Sequence, residues 1–398
     1  MAYDFSKVER KNTDCLKFDF AVERGHKADC LSYWVADMDF KTAPEILEAL
    51  HKRVEHGVFG YTAIKPHYVE AVRNWVKTHH NYDIKSEWLI ETPGVVFAIA
   101  AAVRAFSDKG DGVLIQSPVY YPFSNTIKNL ERKLVSSPLV WKKDENGFGS
   151  WQIDFDDFEQ KIKQENVKLF ILCNPHNPGG RVWTKTELER IADICIKNSV
   201  IVFSDEIHSD FVWEPNRHTV FASISKEAEA ITVTATSPSK TFNLAGLQVS
   251  NIFISDRTLR HKFMLERNRT GYDEPNILGL TACEASYTSG DAWLKECKNY
   301  IFENLCFASD FLNSSGLPLK AAVPEGTYLL WVDCSALPFD DAELNRRLTE
   351  NGNLWLDPGN IFGKEGEMFQ RINVATSREY LEKGLRSFVE SLRHTKDA

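Results

Sequence analysis

The chain has 398 residues, 43% hydrophobic and 26% charged, and 47 basic against 56 acidic side chains leave a formal net charge of -9. This composition excludes intrinsic disorder, and the acidic balance argues against binding along a nucleic-acid backbone, which needs a basic footprint. No apolar run approaches the ~18 residues of a membrane span, and Met1-Ala2-Tyr3-Asp4-Phe5 leads straight into Lys7, Glu9, Arg10 and Lys11 without an apolar signal region. A soluble cytoplasmic protein with no membrane or nucleic-acid partner is expected. The eight cysteines form no C-x-x-C pair and no zinc-ribbon spacing, which predicts free thiols and no metal site.

From about residue 90 short apolar runs alternate with longer amphipathic stretches. Strands are predicted at 112–116, 168–173, 200–204, 231–235 and 248–254, each rich in Val, Ile, Leu or Phe, in the manner of buried parallel strands. Helices are predicted between them at 96–106, 121–132, 154–164 and 184–198, the last opened by Thr184 with Glu187 three residues on, a capping-box pattern. This order implies right-handed crossovers and a mainly parallel sheet with helices on both faces. Beyond about residue 275 the pattern changes to helices at 277–288 and 291–313, a strand at 326–332, a helix at 340–350, strands at 354–356 and 370–374, and a helix at 377–392. The expected architecture is α/β: a large domain over 48–287 and a smaller α+β domain built from both chain ends, 1–47 and 288–398.

Ligands of open α/β sheets bind at the carboxyl ends of the strands, so the residues just past each predicted strand carry the chemistry. Leu172-Cys173 leads to Asn174-Pro175-His176-Asn177, Phe203-Ser204 to Asp205-Glu206-Ile207-His208, and Ala235-Thr236 to Ser237-Pro238-Ser239-Lys240. A further turn, Thr92-Pro93-Gly94-Val95-Val96, opens a helix. Taken singly these are ordinary features: a helix cap, a turn, a solvated lysine. Together they match the needs of pyridoxal phosphate. A lysine holds the cofactor as a Schiff base and later acts as a free amine, a carboxylate keeps the pyridine nitrogen protonated, and hydroxyls and helix N-terminal amides receive the phosphate.

The chain resembles the fold-type I pyridoxal-phosphate enzymes of the aminotransferase class I/II superfamily, and within them the cystalysin-like cystathionine β-lyases. The motifs that carry the resemblance are Trp34-Val35-Ala36-Asp37-Met38-Asp39-Phe40, Gly60-Tyr61-Thr62, Gly94-Val95-Val96, Ser117-Pro118-Val119-Tyr120-Tyr121-Pro122, Asn177-Pro178, Asp205-Glu206-Ile207-His208, Ser237-Pro238-Ser239-Lys240-Thr241-Phe242-Asn243 and Arg371-Ile372-Asn373. The resemblance implies that Lys240 carries the cofactor, Asp205 faces the pyridine nitrogen, and Asn177 and His208 face the ring oxygen. It implies that Tyr120 stacks on the ring, with Tyr121 lining the same pocket. Gly94, Val95, Val96, Ser237 and Ser239 would hold the phosphate, joined by Tyr61 from a neighbouring subunit. Arg371 would bind the substrate carboxylate, a task suited to its planar fork, with Ala36 offering a backbone contact and Asn177 and Tyr121 adjoining. A homodimer with shared active sites follows from the role of Tyr61. One departure is Gln248, eight residues after Lys240, where superfamily aminotransferases usually place a phosphate-binding arginine.

The expected reaction is α,β-elimination from an L-amino acid with sulfur on Cβ, such as L-cystathionine or L-cysteine, giving pyruvate, ammonia and a thiol. An aminotransferase using the same pocket is the alternative enzyme reading. The Asp-Glu-Ile-His motif favours the lyase, because most superfamily aminotransferases have tyrosine at the position of His208. A regulatory protein that keeps the cofactor as a relic is a third reading.

Overall fold

The computed structural model describes residues 3–393. Its central sheet has seven strands: β1 (Leu89–Thr92), β2 (Gly112–Ile115), β3 (Lys133–Ser136), β4 (Val167–Cys173), β5 (Ile201–Asp205), β6 (Thr232–Thr236) and β7 (Ser250–Phe253), in the spatial order β1-β7-β6-β5-β4-β2-β3. Every pairing except those of β7 is parallel; β7 runs antiparallel to β1 and β6. Nearly all of these strand residues except those of the edge strand β3 are buried, as layers of helices on both faces require.

Side-chain capping explains some of the helix starts. Thr184 accepts from the Glu187 amide while the Glu187 carboxylate accepts from the Thr184 amide, completing the expected capping box on Lys185–Lys197. Several elements lay outside the sequence-based expectation. Helices α1 (Pro44–Glu55) and α2 (Pro66–His80) both begin with proline, whose missing N–H costs nothing in a first turn. The expected helix at 121–132 is shorter, Pro122–Asn129, because the chain turns at Glu131, with φ of 60°, into β3. The expected helix at 340–350 is Asp341–Arg346 followed by one wider turn, Arg347–Asn351.

The second sheet has four antiparallel strands, β8 (Lys320–Ala321), β9 (Leu329–Asp333), β10 (Asp357–Pro358) and β11 (Phe369–Asn373), in the order β8-β9-β11-β10. The two ends of the chain meet beside it, where Leu31–Ser32 pairs in parallel with Leu354–Trp355. Helix Asp291–Asn313 buries Trp293, Leu294, Ile301, Leu305 and Leu312 in a core shared with α2 and with the final helix, Arg378–Arg393.

Two asparagines tie the Trp34–Phe40 segment across the molecule. Asn373 donates from Nδ2 to the Val35 and Asp37 carbonyls at 2.6 Å. Asn243 accepts from the Met38 amide at 2.9 Å and donates to the Met38 and Phe40 carbonyls at 3.0 Å. The segment is therefore held by β11 on one side and by the loop after Lys240 on the other. All eight cysteines are free. Among the described residues no helix is long and apolar enough to cross a membrane.

Candidate active site

The carboxyl ends of β4, β5 and β6 lie side by side: Cys173 is in register with Asp205, and Asp205 with Ala235. The three loops that follow therefore leave the sheet at one rim. Asp205, Asn177, His208 and Lys240 line one pocket there, with Tyr120, Tyr121, Ala36 and Arg371.

Lys240 sits in the short helix Pro238–Thr241, capped by Ser237, and its Nζ donates to the Ala36 carbonyl at 2.8 Å. Burial pushes its amine down to about 8, against the pull of Asp37 and Asp205 and with help from Arg371. Asp205 ends β5, and burial raises its carboxyl to about 7, although the Ile207 amide donates to it at 3.3 Å and Lys240 lies near. Such a carboxylate lacks a sufficient cationic partner in its surroundings. Burial also holds His208 well below the ordinary imidazole value, and the charges of Lys240 and Arg371 act in the same direction. Its ring is neutral, and neither ring nitrogen has a partner among the described residues. Tyr120 is anchored by its amide to the Asn177 carbonyl at 3.1 Å, its ring 5.6 Å from that of Tyr121, and burial raises its phenol.

Arg371 lies in β11 with its guanidinium almost wholly buried. Nη1 donates to Asn177 Oδ1 at 2.8 Å, Nη2 to the Trp34 carbonyl at 2.6 Å and also to Asp357, while Nε has no partner among the described residues. Asp357, Trp34 and Tyr328 were not among the expected site residues. Tyr328 donates to the Ala36 carbonyl at 2.9 Å beside Lys240, with its ring edge-on to His208. Ala36 thus meets the site through its carbonyl.

A second set of expected residues lies at the start of helix α3 (Val95–Phe106). Gly94 precedes it with φ of 122°, a left-handed conformation that favours glycine. No side chain caps this helix, so the first amides, those of Val95 and Val96 among them, are open to an anion. Ser239 has no partner for its hydroxyl among the described residues, and its amide donates to Ser237 Oγ at 3.1 Å. The Ser237 hydroxyl donates to the Val249 carbonyl at 2.7 Å. Gln248 is exposed, at φ of 49°. Tyr61 is 95% exposed, and its hydroxyl has no hydrogen-bond partner among the described residues.

These groups fit pyridoxal phosphate. A desolvated carboxylate at Asp205 suits a protonated pyridine nitrogen, an unpartnered imidazole at His208 suits the ring oxygen, and uncapped amides at α3 suit the phosphate.

Comparison with known proteins agrees with that fit. Residues 32–388 match the family model described as aminotransferase class I and II. Cystathionine beta-lyase PatB of Bacillus subtilis is 42% identical over 97% of this chain and 98% of its own. A pyridoxal-phosphate-bound putative aminotransferase of Clostridium difficile is 44% identical with a TM-score of 0.94, covering 98% of this chain and 100% of that one. Cystalysin of Treponema denticola, with its pyridoxal 5'-phosphate cofactor, is 39% identical with a TM-score of 0.93 over 99% of each chain. The expected α/β fold with a mainly parallel sheet is the one found, the cofactor is pyridoxal phosphate, and the chain belongs to the aminotransferase class I and II family.

Proposed function

We propose that this chain is a pyridoxal-phosphate-dependent carbon–sulfur β-lyase, which eliminates the Cβ sulfur of L-cystathionine- or L-cysteine-type substrates. The observation that carries this reading is the convergence of Lys240, Asp205, Arg371 and an unpartnered, neutral His208 on one pocket. The resemblance to PatB, which is named a cystathionine beta-lyase, supports it.

Bound at Lys240, pyridoxal phosphate supplies an electron sink for negative charge developing on Cα. The chain's residues do the rest. Arg371 takes the substrate α-carboxylate, using the unpartnered Nε–H and exchanging its contact with Asp357. Asn177, already bonded to Arg371, fixes the fork in plane. Once the substrate's amino group has displaced it from the cofactor, the free amine of Lys240, lowered to about 8, would be available near neutral pH as the base that removes the Cα proton. Asp205 retains the proton on the pyridine nitrogen. The Cβ–S bond then breaks with its electron pair on sulfur, and the released enamine hydrolyses to pyruvate and ammonia. Tyr120 and Tyr121 form part of the wall of the same pocket.

The active unit is a homodimer. Tyr61 is supported in a cross-subunit role by its near-complete exposure in a loop that also exposes Val58 (62%) and Phe59 (56%), because large exposed apolar groups in one segment mark a contact surface. The large domain spans 48–287, and both chain ends complete the smaller one.

Incubating the holoenzyme with L-cystathionine in the absence of any keto acid tests the reading. Stoichiometric pyruvate and thiol are expected. A requirement for added keto acid would make the protein an aminotransferase.

A further inference from the structure

Beside the catalytic pocket lies a second cavity of about 580 Å³, and the two share Trp34, Tyr121 and Asp357 as a common wall. We infer that this cavity binds the distal amino-acid head group of a cystathionine-type substrate, with Arg24 taking its carboxylate and Asp357 its ammonium. The inference rests on the lyase reading above and names the substrate class that the site prefers.

The far wall is a ladder of flat groups. Arg24 lies over the ring of Trp34 at 5.0 Å, Trp34 stacks on Trp355 at 4.6 Å with an angle of 16°, and Trp355 stacks on His26 at 4.6 Å and 20°. Trp34 and Trp355 are buried, so the ladder is a rigid apolar surface of the kind a thioether and its methylenes pack against. At its open end Arg24 is exposed, and its guanidinium makes neither an ion pair nor a hydrogen bond among the described residues. A guanidinium fixed over an indole and lacking an anion is ready to receive one. The indole Nε1 of Trp34 is buried without a partner, so the wall also has a donor in reserve.

Asp357 supplies the opposite charge. Its Oδ2 accepts from Arg371, and it lines both cavities. It therefore stands between the place of the α-carboxylate and the second cavity. An amino-acid head group brings one positive and one negative charge, and desolvating it requires one of each on the protein. Arg24 and Asp357 are that pair. A small S-alkyl cysteine has no distal head group to bring to this pair.

The test uses the holoenzyme and its Arg24→Met variant with two substrates, L-cystathionine and S-ethyl-L-cysteine. Pyruvate release gives KM and kcat, and the change in cofactor absorbance on mixing gives dissociation constants independently of turnover. Arg24→Met is expected to raise KM and Kd for L-cystathionine about tenfold, equivalent to about 1.4 kcal/mol, with S-ethyl-L-cysteine unaffected. An equal rise for both substrates, or no rise for either, overturns the subsite. If both amino acids bind and no pyruvate appears, the lyase reading fails, and the subsite is then judged on the two dissociation constants alone.

Discussion

Asp357 and Arg371 face each other across the antiparallel pairing of β10 and β11, and the Arg371 guanidinium donates to the Asp357 carboxylate. Both side chains are buried, and burial raises the Asp357 carboxyl above its ordinary range against the pull of Arg371. Removing one member of a buried ion pair strands the other, at a cost of about 3–5 kcal/mol. Asp357→Asn is therefore expected to lower the melting temperature of the holoenzyme. A saturating amino acid should return part of the loss by placing its own carboxylate on Arg371. Differential scanning calorimetry with and without the amino acid checks both statements; an unchanged melting temperature would show that the pair contributes nothing.

Arg371→Lys keeps the charge and removes the fork. Because Arg371 is held by Asn177 and the Trp34 carbonyl, the variant is expected to raise KM for amino-acid substrates about 10- to 100-fold, a loss on the scale of one charge-assisted hydrogen bond. Cofactor affinity should change little. Comparable losses in both, measured by steady-state kinetics and cofactor titration, would put Arg371 at the cofactor rather than the substrate.

Lys240→Ala should remove the visible absorbance of the covalently held cofactor and abolish pyruvate formation. Borohydride reduction followed by peptide mapping locates the attachment in the wild type. A reducible attachment on any other lysine would displace Lys240 from its role.

Asp205→Asn separates catalysis from stability. In the cofactor-free fold the Asp205 carboxyl stays protonated up to about 7, against an ordinary value of 3.8. Between these values the unfolded chain gives up its proton first, so this group's contribution to stability is intact below about pH 4 and is lost as pH rises toward 7. The full loss is about 4 kcal/mol. Cofactor-free Asp205→Asn should therefore be more stable than cofactor-free wild type at pH 8, and the difference should vanish at pH 4. The same variant in its holo form should lose most of its elimination rate, because a neutral amide cannot hold the pyridine nitrogen protonated. Urea unfolding at the two pH values and pyruvate assays test the two halves; near-wild-type turnover would reduce Asp205 to a structural role.

Mixing inactive Lys240→Ala chains with inactive Tyr61→Ala chains tests the shared site. If Tyr61 serves its neighbour, a mixed dimer carries one site with both residues intact and regains pyruvate formation. Mixed dimers that form and stay inactive would place Tyr61 within its own subunit.

Much of this molecule was legible in the order of its residues. Apolar runs ending in Asn177, Asp205 and Lys240 marked three neighbouring parallel strands, since side chains buried on both faces of a sheet leave a local hydrophobic pattern. Thr184 and Glu187 marked a helix start because capping is satisfied within four residues. Helices α1, α2 and Arg257–Asn268 and strands β1 and β3 lie outside the sequence-based expectation.

What tertiary structure alone decided concerns contacts between distant parts of the chain. Asp357 meets Arg371 through strand register, which a shift of one residue would reverse. Trp34 and Ala36 act through their carbonyls, toward Arg371 and toward Lys240 and Tyr328, and a backbone group carries no residue-specific signal. The Ser237 hydroxyl bonds the Val249 carbonyl twelve residues on, a partner that its local sequence does not mark. Local physics writes strands, caps and the residues at strand ends into the sequence. The direction of each hydrogen bond and the pairing of each buried charge depend on segments up to hundreds of residues apart, and they are settled only when those segments pack.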